Sequence, residues 1–175
     1  MSKKIALLTL VVLISLINWS IYKKENHLKD GKIVYLKLAP VDPRSLMQGD
    51  YMALRYDLAN TIYSELPKKD GRRFRAKVAA IDGDVIVTLD AQRRGTFKAL
   101  YNKQVLKENE MLLHYRVRNG RVKLASNAFF FQEGTAKVYE KAKYGEFRVK
   151  DGVLLLANMY DKNVKKLSPK PKGKE

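Results

Sequence analysis

Cysteine is absent from the 175-residue chain, and histidine occurs only as His27 and His114. A chain without thiols has no disulfide, no zinc–thiolate site and no cysteine nucleophile, and two histidines do not make a histidine-based metal centre. Nothing in the residue set points to a cofactor. The same lack of thiols is compatible with an oxidising compartment. Acid is scarce too: 18 Asp and Glu face 35 Lys and Arg, for a formal charge of +17. Such an excess raises nucleic acid as a partner. The lysines, however, are spread over the N-terminal flank, the presumed strands and the tail, and no single helix or ribbon collects them as a groove reader would. The expectation is a solvated basic surface facing anionic lipid or polymer, with no specific nucleic-acid partner.

What is present favours sheets. The chain is 46% hydrophobic with ten tyrosines and six phenylalanines, a mix suited to pleated surfaces, and it is long enough for one domain plus appendages. One long apolar run stands apart. Residues 5–21, IALLTLVVLISLINWSI, carry no charge and are bracketed by Lys3-Lys4 and Lys23-Lys24. As a helix they reach ~25 Å at 1.5 Å per residue, the short end of a bilayer span, with Trp19 and Tyr22 at the far interface. No small-x-small cleavage pair follows, since Asn18, Trp19, Ile21 and Tyr22 occupy that zone. Residues 1–22 therefore read as an uncleaved signal-anchor, a contact with the lipid bilayer. Lys3 and Lys4 favour a cytoplasmic N-terminus, whereas Lys23, Lys24 and Lys29 pull the other way. Because long domains translocate largely regardless of charge, the expected arrangement is N-terminus in and domain outside the inner membrane, in the periplasm where a cell has two membranes.

Beyond the anchor, residues 23–31 read as a polar linker ending in the turn pair Asp30-Gly31. Residues 32–38 form a first strand with Val34, Leu36 and Leu38 on one face. Residues 40–50 are a turn-rich loop, with Pro40, Asp42, Pro43, Ser45 and Gly49. From Tyr51 the pattern alternates, placing Met52, Leu54 and Tyr56 on one side and Tyr51, Ala53 and Arg55 on the other. The i, i+4 spacing of Leu58, Ile62 and Leu66 predicts a short helix that Pro67 ends, followed by a basic turn at 68–73. Three hairpins are expected: 75–81 with 85–91 about Asp82-Gly83-Asp84, 110–118 with 121–124 through Asn119-Gly120, and 146–149 with 153–159 across Lys150-Asp151-Gly152. Residues 96–106 fit either a strand or a loop. Phe129, Phe130 and Phe131 of an aromatic strand at 128–131 cannot all face one side, so some meet a second layer or a partner. Residues 134–143 suggest a short helix with Thr135 as N-cap, and 168–175 a disordered basic tail. Residues 32–167 are thus a mainly β domain, an antiparallel β-barrel or sandwich of ~8 or 9 strands with one or two short helices, preceded by a single transmembrane helix.

The octapeptide GDYMALRY at positions 49–56 matches the motif for which the GDYXXLXY protein family is named, with Gly49, Asp50, Tyr51, Leu54 and Tyr56 all in place. Tyr144-Gly145-Glu146-Phe147-Arg148-Val149 and Phe131-x-Glu133-Gly134-Thr135 also resemble that family's C-terminal half. The resemblance implies a bacterial membrane-anchored protein with no assigned activity, associated with large multi-pass membrane proteins. Two readings of the motif stand side by side. In one, Gly49 takes a backbone that a Cβ blocks, Asp50 accepts hydrogen bonds from the loop's own N–H groups, and Leu54 and Tyr56 pack in the core. In the other, Asp42, Arg44, Asp50, Tyr51 and Arg55 form a recognition surface for a peptide or membrane-protein loop.

The function expected is a non-catalytic accessory protein that binds a multi-pass membrane protein. The alternative is a membrane-anchored serine–lysine hydrolase, since Ser45 and Lys77 superficially resemble the layout of signal peptidases, in which a buried lysine of lowered pKa activates serine. Against it, Ser45 lies only four residues before Gly49, and Lys77 sits on an alternating stretch whose neighbours are polar. Asp82 and Asp84 read as turn residues rather than an acid–base pair. Retention of the anchor is directly measurable: intact mass of the membrane-extracted protein is expected to include the apolar run, and a soluble polypeptide lacking its first two dozen residues would show a cleaved signal instead.

Overall fold

An apolar run satisfies its backbone only by bonding to itself, and here it does so as one long helix, α1 (Ser2–Asp30). Thr9, Ser15 and Asn18, three of the polar residues inside the run, each donate to the carbonyl four residues back, at 2.9, 2.8 and 2.9 Å. Their hydrogen-bonding needs are therefore met without water. Large apolar side chains from Ile5 to Tyr22 are exposed on every side of the helix, and none of its most apolar window, mean hydropathy 2.2, is buried. The helix is long and apolar enough to cross a membrane.

The computed structural model describes residues 2–39, 47–48, 51–67 and 79–169, except the side chains of residues 2, 47 and 48. The basic turn expected at 68–73 and most of the tail expected at 168–175 lie outside the described residues.

The linker expected at 23–31 is not irregular; it is the last two turns of α1. Residues 23–30 contain neither glycine nor proline, so nothing local stops the helix before Gly31. There the Gly31 N–H bonds to the His27 carbonyl at 3.0 Å, while the His27 ring Nε2 donates to the Arg148 carbonyl at 3.0 Å. A Cβ at Gly31 would lie 2.6 Å from the His27 oxygen and 2.9 Å from Arg148 Cβ. Only glycine lets helix and sheet meet this closely.

The domain is mainly β. β1 (Lys32–Lys37), β9 (Tyr144–Lys150) and β10 (Val153–Tyr160) form one antiparallel sheet with β9 central. β2 (Met47–Gln48), β3 (Tyr51–Ala53) and β8 (Ala128–Phe130) form a second, ordered β2-β3-β8. β4 (Ile81–Leu89), β5 (Gly95–Leu100), β6 (Glu110–Arg118) and β7 (Arg121–Lys123) form the third, ordered β5-β4-β6-β7. Single bridges stitch the sheets together through the first strand: Leu38 pairs with Tyr56, and Tyr35 with Arg94. Among the described residues the strands wrap the core as a half-barrel; a closed barrel is not formed. The core fills the concave side with Val34, Leu36 and Phe147 of the first sheet, Val85, Val87, Leu113 and Val117 of the third, and Leu58, Ile62 and Leu66 of helix α2 (Asp57–Glu65) and its C-terminal end.

Two of the three expected hairpins form as drawn. Asn119 and Gly120 turn with φ of 53° and 69°, and Asp151 and Gly152 with 51° and 77°, the left-handed pairs that match strand twist. The third is corrected. Residues 81–89 are one continuous strand, and the chain reverses instead at Asp90, whose Oδ1 accepts from the N–H groups of Gln92 and Arg94 at 2.9 and 2.8 Å. Asp82 and Asp84, expected in a turn, have partners across the ladder: Asp82 meets Arg118 at 2.7 Å and Asp84 meets His114 at 3.0 Å. Gly83 stands opposite Tyr115, and a Cβ there would come within 2.7 Å of the phenol oxygen. The glycine makes room for a ring, not a bend. The helix expected at 134–143 shrinks to α3 (Ala136–Tyr139), and Thr135 does not cap it by its side chain, donating instead to the Gln132 carbonyl at 2.5 Å.

Glu146 is a buried charged residue, 3% exposed. A register shift in β10 between Leu156 and Asn158 brings Asn158 opposite Glu146, so the bulge re-aims side chains at a polar centre. Glu146 Oε2 accepts from Asn158 Nδ2 at 3.0 Å and from the Tyr160 hydroxyl at 2.7 Å, and Oε1 lies 3.3 Å from Arg148 Nε. Glu146→Ala strands these donors, so we expect a loss of about 2–4 kcal/mol, read by chemical denaturation. A loss no larger than that of an exposed substitution would show the cluster to be solvated.

Candidate functional site

The motif strand leaves β1 through a backbone bond from the Ala39 N–H to the Arg55 carbonyl at 2.9 Å, and it is held on the other side by the Leu54 N–H on the Asn127 carbonyl at 2.7 Å. Its alternation then sorts the side chains. Met52, Leu54 and Tyr56 point inward and are 2%, 5% and 3% exposed, while Tyr51 and Ala53 are half-buried and Arg55 is exposed. Of the sequence-predicted site residues, Leu54 and Tyr56 thus lie in the core. Tyr56 packs edge-on against Phe147 with ring centroids 5.4 Å apart, and its hydroxyl donates to the Ser126 carbonyl at 2.8 Å. Asp42, Arg44, Gly49 and Asp50 lie outside the described residues, as do Ser45 and Lys77 of the hydrolase reading.

The outward side of the strand carries the chemistry available to a partner. Tyr51 pairs in register with Phe130, ring centroids 5.8 Å apart, and Phe130 is 74% exposed. Phe129 and Phe131 turn the other way and pack on Tyr139 at 5.1 and 5.3 Å. Thus the aromatic strand splits as the pleat demands. Further along the same face, Ala53 and Arg55 form one wall of a cleft of about 510 Å³. Helix α2 supplies Ala59, Asn60 and Tyr63, and β7 supplies Arg121, Val122 and Lys123, with Asn127 beside them. Among the described residues the lining holds the cations Arg55, Arg121 and Lys123 and no carboxylate. Such a cleft attracts an anionic or acidic segment.

The profile of the GDYXXLXY protein family matches residues 13–159. The chain belongs to this family. No curated protein and no solved structure matches it. In this family member the last two motif positions, Leu54 and Tyr56, are core residues, whereas Tyr51 stands beside the exposed Phe130 on the outer face.

Sequence reasoning singled out Arg55 but not the rest of the cleft. Arg121 and Lys123 share a strand face by their spacing of two, and Ala59 and Tyr63 share the helix face next to the predicted apolar one. Those spacings were readable; that β7 and α2 meet was not.

Burial raises the Tyr56 phenol well above the ordinary value of 10.0, and burial, with the Glu146 hydrogen bond second, does the same for Tyr160. A raised folded value means stability that is whole below pH ~10 and is lost as pH climbs beyond it, when the unfolded phenol ionises first. Tyr56→Phe leaves the Ser126 carbonyl without its donor and is expected to cost about 1–2 kcal/mol at neutral pH. The gap to the wild-type protein should narrow above pH ~10, because the variant has no phenol there to ionise. A gap that does not change with pH would show that the hydroxyl is not held neutral in the core.

Proposed function

We infer that the protein is a non-catalytic, membrane-anchored accessory of the bacterial inner membrane, whose β domain lies in the periplasm or outside and binds a multi-pass membrane protein. The observation that carries this is the outer face of the motif strand. It joins the exposed Phe130, paired with the half-buried Tyr51, to a cleft whose charged lining among the described residues is Arg55, Arg121 and Lys123. Aromatic and arginine side chains beside a recess are the residue types that anchor protein interfaces. The cations Arg55, Arg121 and Lys123 favour an acidic, extracytoplasmic loop of the partner. The long exposed apolar helix supports the membrane setting; Lys3 and Lys4 support an inside N-terminus, and a long C-terminal domain can be translocated despite Lys23, Lys24 and Lys29. The family's association with multi-pass membrane proteins supports the class of partner.

A photo-crosslinking residue placed at Phe130 in native membranes tests the reading. We expect an adduct with a multi-pass membrane protein, reduced about tenfold or more by Arg55→Glu with Arg121→Glu in a folded protein. An adduct that persists undiminished in the double variant would remove the cleft from the interface. Labelling by a serine-directed probe that Ser45→Ala abolishes would favour the hydrolase reading instead.

A further inference from the structure

A second recess, of about 480 Å³, lies where α1 meets the tip of the β9–β10 hairpin. One wall is the end of the apolar run, Trp19 and Tyr22 followed by Lys23; the other is Lys150, Asp151 and Val153. The wall on α1 is continuous with the surface of the apolar helix, and its rings, 6.5 Å apart, stand where that surface turns polar. The level is therefore the edge of the lipid, the usual depth of tryptophan and tyrosine.

The opposite wall is held in place. Lys150 pairs in register with Val153, leaving a two-residue turn, and the Gly152 carbonyl accepts the His114 N–H at 2.7 Å. The hairpin tip is thereby tied to β6, and α1 is tied to β9 through His27 and Arg148. Val153 nonetheless remains 53% exposed and Trp19 68% exposed, on the two sides of the same recess. Lys150 has Asp30 at 3.8 Å, both largely solvated, a contact loose enough to yield to a stronger anion.

The geometry points to a binding site for the headgroup of an anionic phospholipid, its phosphate between Lys23 and Lys150 and its glycerol and upper acyl carbons against Trp19, Tyr22 and Val153. The recess combines two cations with the apolar side chains of Trp19, Tyr22 and Val153. A phosphate joined to a hydrocarbon chain satisfies both, whereas free phosphate satisfies only the first. Asp151 also lines the recess and disfavours a second anion beside the first. This site rests on the reading of α1 as a membrane span.

Trp19 is the sole tryptophan, so its fluorescence reports on the recess in the full-length protein. The chain is reconstituted in vesicles of a zwitterionic phospholipid containing a minor fraction of a phosphatidylglycerol brominated near the headgroup end of its acyl chains. The mirror experiment brominates the same fraction of the zwitterionic lipid. We expect stronger quenching by the brominated phosphatidylglycerol, and an enrichment around Trp19 that falls about fivefold for each of Lys23→Gln and Lys150→Gln. Lys24→Gln, next in sequence but outside the recess, should leave it unchanged. Equal quenching by both lipids would overturn the headgroup site while leaving the anchor intact. No quenching by either would overturn the anchor reading itself. Loss of the enrichment on adding inorganic phosphate no more concentrated than the lipid would show that the recess prefers free phosphate, and would overturn the lipid assignment.

Discussion

A hydroxyl buried among hydrocarbon must find an acceptor, and the Tyr56 phenol finds it in the Ser126 carbonyl. This one bond ties the end of the motif strand to the segment that leads into β8, while the Leu38–Tyr56 bridge ties the same residue to β1. Phe147 of the first sheet packs against its ring. Three parts of the fold thus converge on one side chain, and the strand it ends cannot slip by a residue without exchanging its faces. The position of Tyr51 and Arg55 on the outside follows from the position of Leu54 and Tyr56 on the inside.

Much of the architecture could be read from local signals, and the failures share a cause. The first strand, the motif strand, helix α2 and the turns at Asn119-Gly120 and Asp151-Gly152 rest on short-range periodicity or on backbone angles that few residues accept. Residues 82–84 carry the same letters as a turn, yet glycine there answers the bulk of Tyr115 from the neighbouring strand and the two aspartates answer Arg118 and His114. Asp90, lacking a glycine beside it, was the true reversal. Whether an Asp-Gly pair bends the chain or accommodates a neighbour is decided by residues thirty or more positions away. Local pattern does not contain them.

The candidate site divides on the same line. Arg55 and the aromatic strand were visible as an outward face because a pleat has only two sides. The cleft needed the meeting of β3, α2 and β7, three elements whose order in sequence does not announce their contact. The buried Glu146 was likewise unforeseen, since its partners Asn158 and Tyr160 reach it only through a bulge in β10. Residues 144–149 entered the sequence reading as family-like; their physical content is a polar centre on one face and Phe147 with Val149 on the other.

The unbroken passage of α1 into the sheet has a mechanical meaning. A domain hung on a disordered tether of eight residues would sample a hemisphere roughly 15 Å in radius, and its encounters with neighbours would be diluted accordingly. Here residues 23–30 are a helical post ~12 Å tall, clamped to β9 by His27. Height and bearing are both set, so turning the post about its own axis swings the cleft along a single circle. A helix long and apolar enough to cross a membrane thus carries the domain at one height and bearing, and the orientational freedom that a flexible stalk would keep has been given up at folding.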